Sequence, residues 1–196
     1  SLASAIPLTQ HDELLAEKQR TGDPFSGRRN QSRRPGVSFQ VEGDAGSSLY
    51  LSLDAADLRA YAEALRGCWA LLGLGQGDLV AIFDYGGSPA SYLASSVYIP
   101  YLKQGAADDL GCTTIANDGL PEMASRATDI LRYTRPRAMF IRSDCVHPFL
   151  EEARRLEVEV KRQLQLLVVE ANEQIFPEAS RQDAEARLGI PVLRML

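Results

Sequence analysis

The sequence predicts an α/β fold, three-layered and doubly wound around a mostly parallel sheet, with a β-hairpin ahead of it. Three observations carry this. Apolar runs of strand length recur, as in LVAIF (79–83), AMFIR (138–142) and LQLLVV (164–169); segments with one apolar helical face separate them; and turn residues mark the junctions. Strands alternating with helices build parallel βαβ units with right-handed crossovers, and strands buried on both faces read as continuous apolar runs.

Residues 1–36 are polar, turn basic in their second half and contain SGRRNQSRRPG, the composition of an arm or linker, with a short helix over roughly 10–20. Arg28, Arg29, Arg33 and Arg34 cluster there, and the polar, Gly- and Pro-containing setting favours a solvated loop over a phosphate-binding arm. One α/β unit is expected over 37–196. VSFQV (37–41) and SLYLSL (48–53) flank EGDAGS and read as a hairpin or a tight glycine loop between strands. Asp54 and Asp57 suit the start of a helix, where carboxylates meet free N–H groups. Leu58, Ala62, Leu65, Trp69 and Leu72 then fall on one face, and Gly73 ends the helix.

The cycle repeats after the strand 79–83. Ser88 and Pro89 open a helix to about residue 102, with Ser88 at the N-cap and Pro89 in the first turn. CTTIA (112–116) is a short strand and NDG its turn. Met123, Ala127, Ile130 and Leu131 give a helix over 122–133 its apolar face, and Arg135-Pro136 closes it before AMFIR. A helix over about 148–156, the strand 164–169, a short helix over 183–188 and a strand edge over 191–196 complete the pattern. Ligands of such sheets bind at the carboxyl ends of the strands. Here those ends are Asp84-Tyr85-Gly86-Gly87, Asn117-Asp118-Gly119 and Ser143-Asp144.

Composition narrows the function. A net charge of −5 and a pI near 5.1 argue against nucleic acid as the main partner, since phosphate neutralisation dominates that affinity. No apolar run approaches the roughly 20 residues of a membrane span, and the first residues lack a signal-peptide pattern, so a cytoplasmic protein without a membrane partner is expected. Cys68, Cys112 and Cys145 are too dispersed for a disulfide framework or a zinc spacing, and the histidines are only His11 and His147. Buried thiols and no metal are expected.

Three local patterns carry competing readings. GLGQGD (73–78) follows a helix and precedes a strand, the reverse of a dinucleotide fingerprint, and reads as a connector. Gly86-Gly87-Ser88-Pro89-Ala90 lies where a nucleophile elbow would, with His147 as base and Asp118 or Asp144 as orienter, but Ser88 before a first-turn proline is accounted for as a helix cap. Asp84, Asp118 and Asp144 would together suit magnesium or a hydroxylated ligand, whereas turn chemistry alone also accounts for aspartates at strand ends.

The segment from VSFQV through EGDAGSS, LYLSLDAADLRAYAEALRGCWALLGLGQGDLVAIFDYG resembles the phenylacetate–CoA ligase branch of adenylate-forming enzymes. There a phosphate loop of the form S-G-T-T-G-x-P lies between two strands. A short strand, an Asp-initiated helix ending in a Leu-Gly-Leu type turn, a Gly-Asp pair, a strand and a Tyr-Gly follow. The matching residues are Leu53, Asp54, Ala55, Asp57, Leu58, Trp69, Gly73, Leu74, Gly77, Asp78, Val80 and Asp84-Tyr85-Gly86, and the likeness runs on through GAADDLGCTTIANDG and ILRYTRPRAMFIRSD, about residues 37–196. The resemblance implies activation of a carboxylic acid by ATP and magnesium to an acyl-adenylate, then transfer to CoA. It places Gly43, Gly46, Ser47 and Ser48 at the phosphates and Tyr85 and Gly86 at the carboxylate substrate.

The phosphate loop departs from that pattern. Its Thr-Thr pair and basic residue are absent, and Glu42 and Asp44 add negative charge. Two like charges about 5 Å apart repel by roughly 3 kcal/mol at an effective dielectric near 20, which argues against ATP in this loop. The later segments for adenine, ribose and the adenylation lysine have no counterpart before Leu196, so the chain alone is expected not to catalyse the reaction. Three readings follow: a piece of a ligase completed by a missing C-terminal half or partner protein; a degenerate binding or scaffold homologue in a biosynthetic pathway, self-covering or a homodimer; and, last, a Ser88 hydrolase.

Overall fold

Backbone chemistry and apolar patterning explain each element of the computed structural model, which describes residues 11–29, 32–33, 36–41, 48–84, 89–94, 105–171 and 173–195. The chain divides into two compact units, Ser1–Ala60 and Tyr61–Leu196.

In the first unit, helix α1 (His11–Thr21) has Asp12 and Glu13 in its first turn and Lys18 and Arg20 in its last, both matched to the helix dipole. It ends at Gly22, whose φ of 71° lets its N–H reach the Lys18 carbonyl at 2.8 Å. Strands β1 (Val37–Val41) and β2 (Leu49–Leu53) pair antiparallel from Val37↔Leu53 to Val41↔Leu49. The expected hairpin is therefore present, while the tip of its connection, 42–47, lies outside the described residues. Lys18 Nζ donates to the Ser48 carbonyl and lies 5.7 Å from the Tyr50 ring, which Phe25 meets edge-on at 6.1 Å. Two of the clustered arginines make contacts from the surface: Arg29 lies over the Phe25 ring, and Arg33 pairs with Asp54 at 3.0 Å. Arg28, Arg29 and Arg33 are all solvent-exposed, in keeping with a solvated segment; Arg34 lies outside the described residues.

Helix α2 (Ala55–Leu71) starts on a reciprocal cap. Asp54 Oδ1 accepts the N–H groups of Ala56 and Asp57, and Asp57 Oδ2 accepts the N–H of Asp54 at 2.9 Å. The N–H of Asp57 and the Arg33 guanidinium hold the Asp54 carboxyl below its ordinary pKa. The expected apolar face holds: Leu58, Ala62 and Trp69 are buried, and Leu65 and Leu72 are partly so.

The second unit carries a five-stranded parallel sheet of β3 (Leu79–Phe83), β4 (Thr113–Asn117), β5 (Ala138–Arg142), β6 (Leu166–Glu170) and β7 (Val192–Met195), in the order β4-β3-β5-β6-β7. Alternation sorts the side chains into two layers. Ala81, Phe83, Met139, Ile141, Leu167, Val169 and Val192 face one core, closed by α5 (Ala124–Thr134), α6 (Ser143–Arg155) and α7 (Glu178–Leu188). Val80, Ile82, Ala138, Phe140 and Val168 face the other, with Trp69, Leu74, Ala94 of α3 (Pro89–Ala94) and Ala107 of α4 (Ala106–Leu110). Helices on both faces of a parallel sheet make the three-layer, doubly wound architecture that the sequence predicts. Among the described residues no helix is long and apolar enough to cross a membrane.

Some bounds differ from the expectation. Helix α6 begins at Ser143, so Pro148 sits inside it rather than opening it. As sixth residue, Pro148 forfeits a single hydrogen bond, to the Asp144 carbonyl, near the start of the helix where donors are already unpaired. Helix α7 begins at Glu178, five residues early, because Glu178, Arg181 and Glu185 support it through ion pairs while only Ala184 and Leu188 are buried. Apolar periodicity is silent where charge pairs carry the helix. Cys68 is exposed on α2, correcting the expectation of three buried thiols; Cys112 and Cys145 are buried.

Candidate functional site

The order β4-β3-β5-β6-β7 fixes where a ligand crevice can form. From β3 the chain crosses to β4 on one side, then returns past β3 to continue on the other, so the winding reverses between β3 and β5. At such a switch point the flanking connections diverge and leave a crevice outside the carboxyl ends of the two strands.

Register places three charged residues there. Phe83 pairs with Ile141 and Arg142 with Glu170, so Asp84, directly after β3, lies level with Arg142 and Glu170. Each follows Ile82, Phe140 or Val168 by two positions and shares the face of the Trp69 core. Asp84 is buried and Glu170 half-buried. The Asp84 N–H donates to the Asn117 carbonyl at 3.2 Å, extending the sheet by one residue. Gly119 packs over this point: a Cβ there would lie 2.5 Å from the Phe83 carbonyl oxygen and from Asp84 Cα. Only glycine lets the β4–α5 connection cross the end of β3 so closely.

The charges are coupled. Burial first, then a hydrogen bond with Asp84 and repulsion by its charge, push the Glu170 carboxyl up to about 8, against the opposing pull of Arg142. The two carboxyls share a hydrogen bond, which favours keeping a proton on the pair. Arg142 donates to Asp144 Oδ2 at 2.6 Å, and the Cys145 thiol donates to Asp144 Oδ1 at 3.6 Å. Burial, then the Asp144 charge, raises that thiol to about 12, so it is inert as a nucleophile. A half-buried acid that titrates near neutrality, beside a carboxylate and a guanidinium, can exchange a proton or hydrogen-bond a ligand hydroxyl or amine.

The residues expected from sequence fare unequally. Asp84 is at the centre of the row. Asp144 meets it through Arg142 but belongs to the first turn of α6, and Asp118 is exposed, its N–H taken by Asn117 Oδ1. Among the described residues no three His, Cys, Asp or Glu side chains are grouped to hold a metal ion. Ser48 is described: its hydroxyl accepts from Gln40 Nε2 at 2.8 Å. Gly43, Gly46, Ser47, Tyr85, Gly86 and Ser88 lie outside the described residues. His147 is exposed on α6, the helix covering the opposite face of the sheet. GLGQGD is the expected connector, at the amino end of β3: Asp78 Oδ2 accepts from the Gly75 N–H and from Arg137. Sequence reading missed Arg142 and Glu170, and it named Gly119 at a strand end without the close packing that requires it. Their signal was the charged residue ending each of the runs AMFIR and LLVVE, and the glycine after a strand-end Asn-Asp.

No protein-family model and no curated protein sequence matches this chain. Solved structures match it in fold. A 2-hydroxyisobutyryl-CoA ligase in complex with 2-HIB-AMP and CoA aligns with a TM-score of 0.72 and 21% identity over 96% of this chain and 38% of its own. The A domain of the carboxylic acid reductase from Segniliparus rugosus, in complex with AMP and a co-purified carboxylic acid, aligns with a TM-score of 0.54 and 16% identity over 95% of this chain and 29% of its own. The adenylation domain of the carboxylate reductase from Mycobacterium chelonae aligns with a TM-score of 0.52 and 17% identity over 98% and 32%. The chain thus has the fold of part of these adenylate-forming enzymes and spans under two fifths of their length.

Proposed function

We propose that this chain is part of the N-terminal domain of an adenylate-forming acyl- or aryl-CoA ligase of the phenylacetate–CoA ligase type, and that alone it does not complete the reaction. The observation that carries this reading is the likeness, over 96% of the chain, to a ligase whose structure holds an acyl-adenylate and CoA. On this reading residues 1–36 are an arm and 37–196 the ligase-like portion. Tyr85 and Gly86 then face a carboxylic acid, and Gly43, Gly46, Ser47 and Ser48 are the remnant of a phosphate loop. ATP, magnesium and CoA belong to the cytoplasmic full-length protein.

The residues of this chain do not fit a magnesium–triphosphate. Glu42 and Asp44 add two negative charges to the loop. The switch-point crevice holds the Asp84–Glu170 pair. Adenylation needs fixed positive charge on the departing pyrophosphate. The same acidity favours a second reading, a binding or scaffold homologue that keeps the fold without the chemistry.

Calorimetry with ATP and magnesium on the unaltered chain and on Glu42→Ser/Asp44→Thr tests the loop. The expected result is no heat from the unaltered chain and a measurable affinity in the repaired one. Micromolar binding by the unaltered chain would refute the loop reading and make a split, active ligase the working description.

A further inference from the structure

At the opposite, amino-terminal edge of the sheet, a cleft of about 530 Å³ is lined by Gly77, Asp78, Leu79, the stretch 134–137 and the stretch 161–165. Four cations line it, Arg135, Arg137, Lys161 and Arg162, against one carboxylate, Asp78, in a chain whose net charge is −5. The floor is rigid: Arg137 N–H donates to the Leu79 carbonyl at 2.8 Å, and Gln165 N–H donates to the Arg137 carbonyl at 3.1 Å.

The cations are not equivalent. Arg137 is oriented by Asp78 at 2.9 Å, which uses one of its donors and leaves the others. Arg162 pairs with Glu159 through Nε. Among the described residues, Arg135 and Lys161 make no ion pair and no side-chain hydrogen bond. Arg135 is also left-handed, with φ 50° and ψ 60°, at the C-cap of α5. That position ordinarily goes to glycine, and an arginine there is a strained backbone carrying a cation.

We propose that this cleft binds a phosphorylated small molecule, with Arg135 and Lys161 contacting the phosphate and Arg137 as a fixed donor beside it. Guanidinium forks match phosphate oxygens in geometry and charge. The volume exceeds that of a bare phosphate and suits a nucleotide-sized ligand. The site is independent of the hairpin loop and of the ligase reading.

The test uses amide NMR and calorimetry on the full chain, with inorganic pyrophosphate and AMP as probes in low salt. Shift changes are expected at 134–137 and 161–165, with affinity falling as salt rises. Lys161→Ala is expected to weaken pyrophosphate about tenfold. Arg135→Gly is expected to weaken it similarly while raising the urea midpoint, because glycine relieves the left-handed backbone. A purely structural arginine would lose stability instead. Shift changes at 134–137 and 161–165 without shift changes at 42–48 separate the cleft from the loop. No shift at millimolar pyrophosphate, affinity unmoved by both cleft variants, or binding to phosphatidic acid vesicles without binding pyrophosphate would each overturn the proposal.

Discussion

Replacing Glu170 with Gln should flatten the pH dependence of stability across neutrality. The glutamine amide still donates to Asp84 but no longer titrates. In the native chain the Glu170 carboxyl is raised from 4.5 to about 8, chiefly by burial. A raised acid holds its proton in the folded state after the unfolded state has lost it. Stability from this group is therefore fully present below about pH 4.5, declines as pH rises and is gone above about pH 8. The whole shift corresponds to about 5 kcal/mol; Glu170 keeps partial solvent contact, and screening reduces this to about 2–3 kcal/mol. With a urea m-value of about 2 kcal/mol per M, the unaltered chain should lose about 1–1.5 M in midpoint between pH 5 and pH 8.5. Glu170→Gln should lose much less. Trp69, the single tryptophan, stacks on Phe140 at 5.0 Å in the core beneath the row, so its fluorescence follows the unit concerned. Parallel midpoint-versus-pH curves for the two proteins would refute the coupled-carboxyl account.

Three further outcomes are expected. Gly119→Ala should cost roughly 2 kcal/mol or more, because its Cβ meets backbone rather than a flexible side chain; thermal melts would read it. Trp69→Phe should change stability by no more than about 1 kcal/mol, since the buried Trp69 Nε1–H has no acceptor among the described residues and its loss offsets part of the lost packing, while Trp69→Ala should cost about 3–5 kcal/mol by urea titration. Of the three cysteines only Cys68 should react with a thiol reagent in the native chain at pH 8. Cys112 and Cys145 are buried with raised thiol pKa values and should become reactive only in denaturant.

The sequence by itself determined the layers. LVAIF and AMFIR occur as β3 and β5, LQLLVV (164–169) overlaps β6, which runs two residues later at its start and one at its end, and the faces Leu58-Ala62-Trp69 and Ala127-Leu131 are buried, because burial on two sides or along one stripe imposes local periodicity. It also located the carboxyl edge through Asp84. Helix starts at Ser143 and Glu178 escaped it, since a proline inside the first turns and a charge-paired helix leave no apolar period. Only the tertiary structure decided which residues meet. Strand order put β5 between β3 and β6, and register then set Asp84, Arg142 and Glu170 in one row. The same order gathered Asp78, Arg135 and Lys161 at the far edge. These groups lie far apart along the chain, and their charges and proton affinities depend on separations across strands, which no local pattern encodes.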